Sequence, residues 1–466
     1  MDTSVKHTST QHDTILNEEA LKETAEDLRE LVDQKADNFI VNILLNLHPA
    51  DIAEILRYFN EDDRRYIFKL LPKDIASEVL TELDQPLIDE LFEDLNPKEI
   101  SEVLTEMDSD DATDIISELP ETLAENVLSN INKEEQEEVR ELLLHRSETA
   151  GGIMAKEFIA VNQDDTVDEA IQEIREKAEE VEDIYNVYAV DDEGRLVGEI
   201  PLKKLILSHP GSRVKDVMDK DIISVHTDMD QEEVARIVKK YDLVSVPVVN
   251  REDRLVGRIT IDDVVDVIED EASEDMTMMA GITETDIPET SPFKVSRSRL
   301  PWLLVAFGGE IISGYLMSRF QSSISHLISV VFFVPLIMAV GGNVGNQAAV
   351  VVIRGLATGE IALIDTRKRL FHEFMVAFLN GIILATLIFL ISDLWLHDPK
   401  LGIMIGISMI IVVENAAFMG AVIPFILKKI GIDPAVATSP FITTSNDIFG
   451  LLIYFSMVTV FIKLFS

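Results

Sequence analysis

Three kinds of hydrophobic patterning follow one another along the chain. From about Leu21 to His145, apolar residues recur at three- and four-residue spacing, the period of amphipathic helices. The stretch contains a repeat. HPADIAEIL begins at His48, LPKDIASEVL at Leu71, NPKEISEVL at Asn96 and LPETLAENVL at Leu119. The prolines at 49, 72, 97 and 120 recur about every 24 residues, and each suits the first turn of a helix with an acid close behind. Short helix pairs at a fixed period stack into an α-solenoid, predicted here over residues 21–147. The polar residues 1–20 are expected to form a disordered tail.

From about Ala150 the period switches to alternating strands and helices. FIAVNQDDTVDEAIQEIRE reads as strand, turn and helix, and YNVYAVDDEGRLVGEIPLKKLIL as strand, turn, strand and helix. The order recurs in IISVHTDMDQEEVARIVKKY and SVPVVNREDRLVGRITIDDVVDVI. The pair DEGRLVGEIPLKKL and REDRLVGRITIDDV resembles a tandem of CBS domains, placed at residues 148–218 and 219–262. The second copy ends in the T-x-x-D pattern at Thr260 and Asp263, which the resemblance links to an adenosine nucleotide such as ATP. The first copy lacks that ending.

A single helix is predicted next, within a connecting segment at 263–290. Asp262, Asp263, Asp266, Glu269, Asp270, Glu271, Glu274 and Asp275 make it intensely acidic. Asp263/Asp266 and Glu271/Glu274 are i,i+3 neighbours. At about 8 Å and an effective dielectric of 20, such a pair costs roughly 2 kcal/mol unless a cation intervenes. The alternative is a plain solvated linker.

Beyond Ser291 the apolar runs lengthen to membrane-spanning size, which needs about 20 residues. Five spans are predicted, at about 302–319, 327–353, 371–391, 401–427 and 436–462, within a domain at 291–466. Two carry polar interruptions. PFITTSNDIFG (440–450) places Asp447 beside Thr443, Thr444, Ser445 and Asn446 in mid-span, where a carboxylate costs about 2.5–3.5 kcal/mol. AVGGNVGNQ (339–347) adds the amides Asn343, Asn346 and Gln347, with glycines that permit close approach or irregular backbone. Oxygen ligands and an acid on two spans suggest a path for a hard cation. The alternative is a polar contact between helices. Glu310 lies on the first span and Glu414 with Asn415 on the fourth.

Charge sharpens the division. Of 40 basic and 84 acidic residues, 12 and 9 fall from 291 onward, leaving a net of −47 on residues 1–290. So acidic a portion argues against nucleic acid as a partner, and it favours cations. The amino terminus has no apolar segment of a cleaved signal, so it is expected in the cytoplasm. Inside segments then carry Lys294, Arg297, Arg299, Arg354, Arg367, Lys368, Arg369, Lys428 and Lys429, against Arg319, Lys400 and Lys463 outside. Five spans leave the carboxyl terminus outside the cell membrane. Without cysteine there is no disulfide, thiolate nucleophile or Cys-based zinc site. HExxH, Walker and GxSxG patterns are missing too, so an enzyme is not expected.

The expected fold is thus a multidomain membrane protein. An α-solenoid and an α/β CBS pair lie in the cytoplasm, and an α-helical bundle of five spans lies in the membrane. In that order, with RLPW (299–302), PLIMAVGGNVGNQ (335–347) and GAVIPFILKKIGIDPAVATSPFITTSND (420–447), the chain resembles the MgtE family of magnesium channels or transporters. The resemblance implies a homodimer with its pore between subunits, lined by the second and fifth spans. The family's membrane acid falls on Asp447, and its GGNxGNQ segment on 341–347. The family's Mg²⁺-sensing acids map to Glu232 and Asp242 on the CBS pair, and to Asp263, Asp266, Glu271, Glu274 and Asp275 on the connecting helix. On the solenoid they map more loosely, to Asp110 and Asp114 in DSDDATD, where neighbouring acids can slip into the same roles.

The reading that follows is a Mg²⁺ pathway gated by cytoplasmic Mg²⁺. Asp447, Thr443, Thr444, Asn446, Asn343, Asn346 and Gln347 are its pore candidates. A proton-coupled carrier of the same cation and a membrane-anchored CBS sensor are the alternatives.

Overall fold

The computed structural model describes residues 17–178, 181, 184–279, 292–358, 361, 366–437 and 439–465. Most of the predicted tail, the end of the connecting segment at 280–290 and the side chain of Lys294 lie outside the described residues. The chain divides into two compact units, residues 1–269 and 270–466.

The first unit opens with ten helices: α1 (Glu18–Asp33), α2 (Asp37–Leu44), α3 (Pro49–Leu56), α4 (Glu61–Leu70), α5 (Lys73–Thr81), α6 (Gln85–Phe92), α7 (Pro97–Leu104), α8 (Ser109–Glu118), α9 (Glu121–Leu128) and α10 (Lys133–Leu142). α3, α5, α7 and α9 pack in one row, while α2, α4 and α6 form another and α8 packs on α10. The helices from α2 to α10 are too short to be stable alone, so their apolar stripes must be buried against their neighbours. Ile52, Ile55, Ile67, Leu80 and Ile100 do this with essentially no exposure.

Asparagine punctuates the array. Asn60, Asn96 and Asn132 accept backbone N–H bonds at the starts of α4, α7 and α10, and Asn96 with Glu99 forms a full capping box. The repeat prolines differ from expectation. Pro49 and Pro97 occupy the first helical turn, but Pro72 and Pro120 stand just outside it, as N-caps. The preceding residues, Leu71 and Leu119, are buried and extended, as a residue before proline prefers, so the chain enters the helix one residue later.

Two small sheets follow. β1 (Ala160–Asn162), α11 (Val167–Lys177), β2 (Asn186–Val190), β3 (Leu196–Pro201), α12 (Leu202–Leu207) and α13 (Val214–Val217) make the first copy. β4 (Val225–His226), α14 (Gln231–Tyr241), β5 (Ser245–Val249) and β6 (Leu255–Thr260) make the second. In both, the first strand pairs parallel to the second and the second antiparallel to the third. The copies meet at their hairpins. Leu196 N donates to Asp253 O (3.0 Å), Leu255 N to Gly194 O (3.1 Å), and the Tyr188 and Ser245 hydroxyls bond at 2.8 Å. Ala155 and Arg258 exchange backbone bonds, so the stretch ahead of β1 also joins the second sheet.

α15 (Ile261–Met279) leaves β6 without a break. The second unit continues with α16 (Pro292–Arg319), α17 (Gln321–His326), a 3-10 turn at Ile328–Phe333, α18 (Val334–Ala357), α19 (Thr366–Leu396), α20 (Pro399–Ile430) and α21 (Ser439–Phe465). Five helical stretches are long and apolar enough to cross a membrane: Val295–Arg319, Ile328–Ala357, Thr366–Leu396, Pro399–Ile430 and Phe441–Leu464. They match the five predicted spans in number and order, and most run longer because polar ends extend each helix beyond its apolar stretch.

The glycines of α18 resolve one alternative. The helix is continuous through 341–347, so they serve close approach and not irregular backbone. A Cβ at Gly420 would lie 2.2 Å from Gly345 O, and one at Gly345 would lie 1.9 Å from Asn446 Nδ2. α18 and α20 therefore touch backbone to backbone, as small residues allow between membrane helices, and Gly345 takes the Asn446 side chain of α21 against the same helix. Tyr454 Oη donates to Val330 O at 2.8 Å and ties α21 to the 3-10 turn.

Candidate cation sites

The cytosolic acids gather where α8 begins. Asp108 is the N-cap of α8, and Asp110 and Asp111 occupy its first turn. Ser109 donates from N and Oγ to the Glu157 carboxylate (3.2 and 2.8 Å), and Lys156 N donates to Ser109 Oγ (2.8 Å). These bonds draw Glu157 over the helix start. Asp108, Asp110 and Glu157 each place an oxygen within 4.8 Å of the others. Asp110 is only 6% exposed. From the start of α15, Asp263 accepts from Thr260 N (2.9 Å) and Oγ1 (2.6 Å). The Thr260–Asp263 pair of the nucleotide signature thus closes on itself, with Asp263 electrostatically coupled to α8.

Burial is the first cause of the perturbed acidities here, and neighbouring charge the next. Asp110 is held well above the ordinary carboxylate range by burial, then by Asp263, Asp111, Asp108 and Glu157. Asp111 is pushed up to about 8 by burial, then by Asp263 and Asp108. Asp263 is raised to about 6 by burial, against the two bonds from Thr260 that favour its charged form, with Asp262 and Asp266 adding to the rise. These folded-state values stand above the ordinary unfolded value, near 3.9. The folded protein therefore binds more protons across the window between, and the stability these groups contribute is present below about pH 4 and lost as pH rises through 6 to 8. Without divalent cations, the transition of the cytosolic unit in calorimetry of the full-length protein should fall by roughly 3–6 °C between pH 5 and pH 8. Added Mg²⁺ should return most of that loss at pH 8. A Mg²⁺-independent transition at pH 8 would exclude a cation at this cluster.

The other predicted cytosolic acids surround or extend beyond that cluster, and the charge of Asp266 reaches Asp263. Asp114 is exposed on α8, though its charge reaches Asp111. Glu232 is half-buried in the first turn of α14. Asp242 is exposed and caps the carboxyl end of α14 in the left-handed region (φ 52°), a conformation aspartate tolerates. Asp266 is exposed, whereas Glu271, Glu274 and Asp275 are half-buried on the later turns of α15. At its end, Met278 and Met279 pack against Ala349 and Ile353 of α18 and Ala435 and Ile442 beside and on α21. Asp108 and Asp111 lay within the DSDDATD run, but nothing in the sequence pointed to Glu157.

In the membrane unit the predicted polar residues separate into groups. Asp447 (6% exposed) and Asn446 (2%) are buried on α21. Asn446 Nδ2 donates to Gly341 O at 3.4 Å. Asn446 Oδ1 and Asn346 Oδ1 are buried with no hydrogen-bond partner among the described residues. Thr443 approaches Gly342, and Thr444 packs on Gly309 of α16. One residue on, Glu310 meets Asp447 in a carboxyl–carboxyl hydrogen bond, a contact that needs a shared proton or cation. Asn343 and Gln347 are exposed on another side of α18, facing a groove shared with α19. Among the described residues, the groove that they line does not include Asp447.

The architecture is that of a multi-pass membrane protein carrying a helical repeat and a CBS pair ahead of its spans. Residues 334–457 match the family described as divalent cation transporter, MgtE; residues 47–148 match the MgtE intracellular N domain, and 150–208 and 214–270 the CBS domain. The chain is 38% identical over 441 residues to the magnesium transporter MgtE of Enterococcus faecalis, covering 94% of this chain and 97% of that protein. It is 34% identical over 436 residues to the magnesium transporter MgtE of Thermus thermophilus, covering 92% and 96%. The chain belongs to the MgtE family. Among solved structures, the cytosolic domain of the Mg²⁺ channel MgtE in complex with ATP aligns with a TM-score of 0.50 and 35% identity, covering 52% of this chain and 99% of that one. The soluble part of a magnesium transporter aligns with the same TM-score at 32% identity, covering 54% and 99%.

Proposed function

We propose that the chain forms a Mg²⁺-selective channel of the cell membrane, closed from the cytoplasmic side by Mg²⁺ itself. The observation that carries this reading is a buried carboxylate, Asp447, on a membrane span whose other polar residues are hydroxyls and an amide. Mg²⁺ demands near-octahedral oxygens and gives up water reluctantly, so the ion passes Asp447 with its water shell in place. Thr443, Thr444 and Asn446 hold that shell from α21 and Asn346 from α18, while Asn343 and Gln347 line the route on the other side of α18. Two copies supply the site twice and close the path between them, which makes the protein a homodimer. The amino terminus is cytoplasmic and the carboxyl terminus outside, as the basic connectors favour.

Closure uses the acidic cluster. Cytoplasmic Mg²⁺ bridges Asp110, Asp263 and their neighbours, with Asp114, Glu232, Asp242, Asp266, Glu271, Glu274 and Asp275 as further ligands. α15 carries the effect about 24 Å, from Asp263 to the methionines packed on α18 and α21. The ion shifts the gate only by binding the closed state more tightly than the open one. ATP at Thr260 and Asp263 shares Asp263 with the cation cluster, so nucleotide and Mg²⁺ are coupled there.

The test is single-channel recording from inside-out patches of the reconstituted protein while Mg²⁺ rises on the cytoplasmic face. Unitary currents that vanish at millimolar Mg²⁺ are expected. Currents indifferent to Mg²⁺ would remove the sensor, and uptake without unitary current would move the assignment to a proton-coupled carrier.

A further inference from the structure

Asn343 and Gln347 lie one turn apart on α18, and Asn380 lies near the middle of α19. The three amides line one groove of about 260 Å³ between these helices, with Val340, Val344 and Ile383. All three are exposed in the single chain, on helices long and apolar enough to cross a membrane, and in hydrocarbon each amide would lack a hydrogen-bond partner. Such a groove needs water or an ion with its waters. An open groove of this size has room for several waters around an ion.

We propose that this groove is a second station for a hydrated divalent cation, in which α19 contributes Asn380 to the ion route. The inference rests on the channel reading above and extends it to a span and a residue outside the two polar interruptions. The chemistry suits the task. Amide oxygens accept hydrogen bonds from the ion's water shell without stripping it. The lining is neutral, so the ion is held weakly and moves on, while the carboxylate at Asp447 supplies the stronger attraction. Conduction requires that combination of entry and release.

The test uses full-length protein in phosphatidylethanolamine–phosphatidylglycerol vesicles, with Mg²⁺ flux read by an entrapped dye. Hexaamminecobalt(III), an inert complex close in size to hydrated Mg²⁺, serves as blocker. Asn380→Leu keeps the side-chain size but removes the amide, and should raise both the half-saturating Mg²⁺ and the half-blocking cobalt complex about fivefold, the net scale of one ordinary hydrogen bond. Asn380→Asp should tighten the block about tenfold and slow Mg²⁺ release, a change that a merely structural asparagine would not produce. Unchanged flux and block in both variants would overturn the station. So would flux that falls only in proportion to the dimer fraction measured by light scattering, which would make the groove a contact between copies. Asp447→Ala is measured in parallel. If it retains flux, the channel reading fails; if it abolishes flux while the Asn380 variants match wild type, only the groove falls.

Discussion

Asp447→Ala is expected to abolish Mg²⁺ flux, by at least about 100-fold, while leaving folding and dimer assembly intact. At about 5 Å, through one water layer, and an effective dielectric of 20, a carboxylate attracts a divalent ion by roughly 6–7 kcal/mol, twice its attraction for a monovalent ion. Two copies double that difference, so the residue sets both entry and charge selectivity. The folding cost of its removal is small, because a carboxyl pair at membrane depth is itself expensive. Glu310 separates two outcomes. If it shares the ion with Asp447, Glu310→Gln lowers Mg²⁺ affinity without abolishing flux. The measurement is dye-reported Mg²⁺ uptake into vesicles alongside size-exclusion light scattering. Retained flux in Asp447→Ala, with the dimer intact, would end the assignment.

The triple variant Asp110→Asn, Asp111→Asn, Asp263→Asn should lose closure by cytoplasmic Mg²⁺. Carboxylate oxygens 4.8 Å apart repel by about 3–4 kcal/mol at an effective dielectric of 20. Moving a two-state gate from 1:99 to 99:1 takes about 5.5 kcal/mol, so relief of one or two such repulsions by a bridging cation is enough. With Asp110 neutral the three-carboxylate cation site is broken, and only the repulsion between Asp108 and Glu157 remains. The currents of the variant should therefore stop responding to millimolar Mg²⁺ in inside-out patches. Its cytosolic unit should unfold at a higher temperature than wild type without Mg²⁺, and gain less when Mg²⁺ is added, because stabilisation by a ligand follows its occupancy of the folded state. A variant that still closes normally as Mg²⁺ rises would place the sensor elsewhere on α15, with Glu271 and Glu274 next to be neutralised.

The elements were readable because local chemistry and period carry them. The prolines at 49, 72, 97 and 120 marked the repeat, the paired RLVG segments marked the two sheets, and five long apolar runs marked the spans. Asp447 was conspicuous for the same reason, since a carboxylate inside an apolar run contradicts its surroundings. One detail of the repeat was not readable. Pro72 and Pro120 sit outside their helices because Leu71 and Leu119 are taken into the core in extended form, which is a matter of packing.

The composition of each site belongs to the tertiary structure. Glu157 reaches Asp108 and Asp110 only because Ser109 bonds to a carboxylate 48 residues away. Glu310 meets Asp447 because Gly309 lets α16 press against Thr444. Asn380 joins Asn343 and Gln347 because α18 and α19 both pack on α20 and leave a groove between them. Hydrophobic period and turn chemistry act between neighbours in the chain, so the helices, the sheets and the spans, together with the acid in the membrane, were legible before any fold was known. Electrostatic partners are chosen by distance in space, and only the folded chain decided which carboxylates and amides stand together.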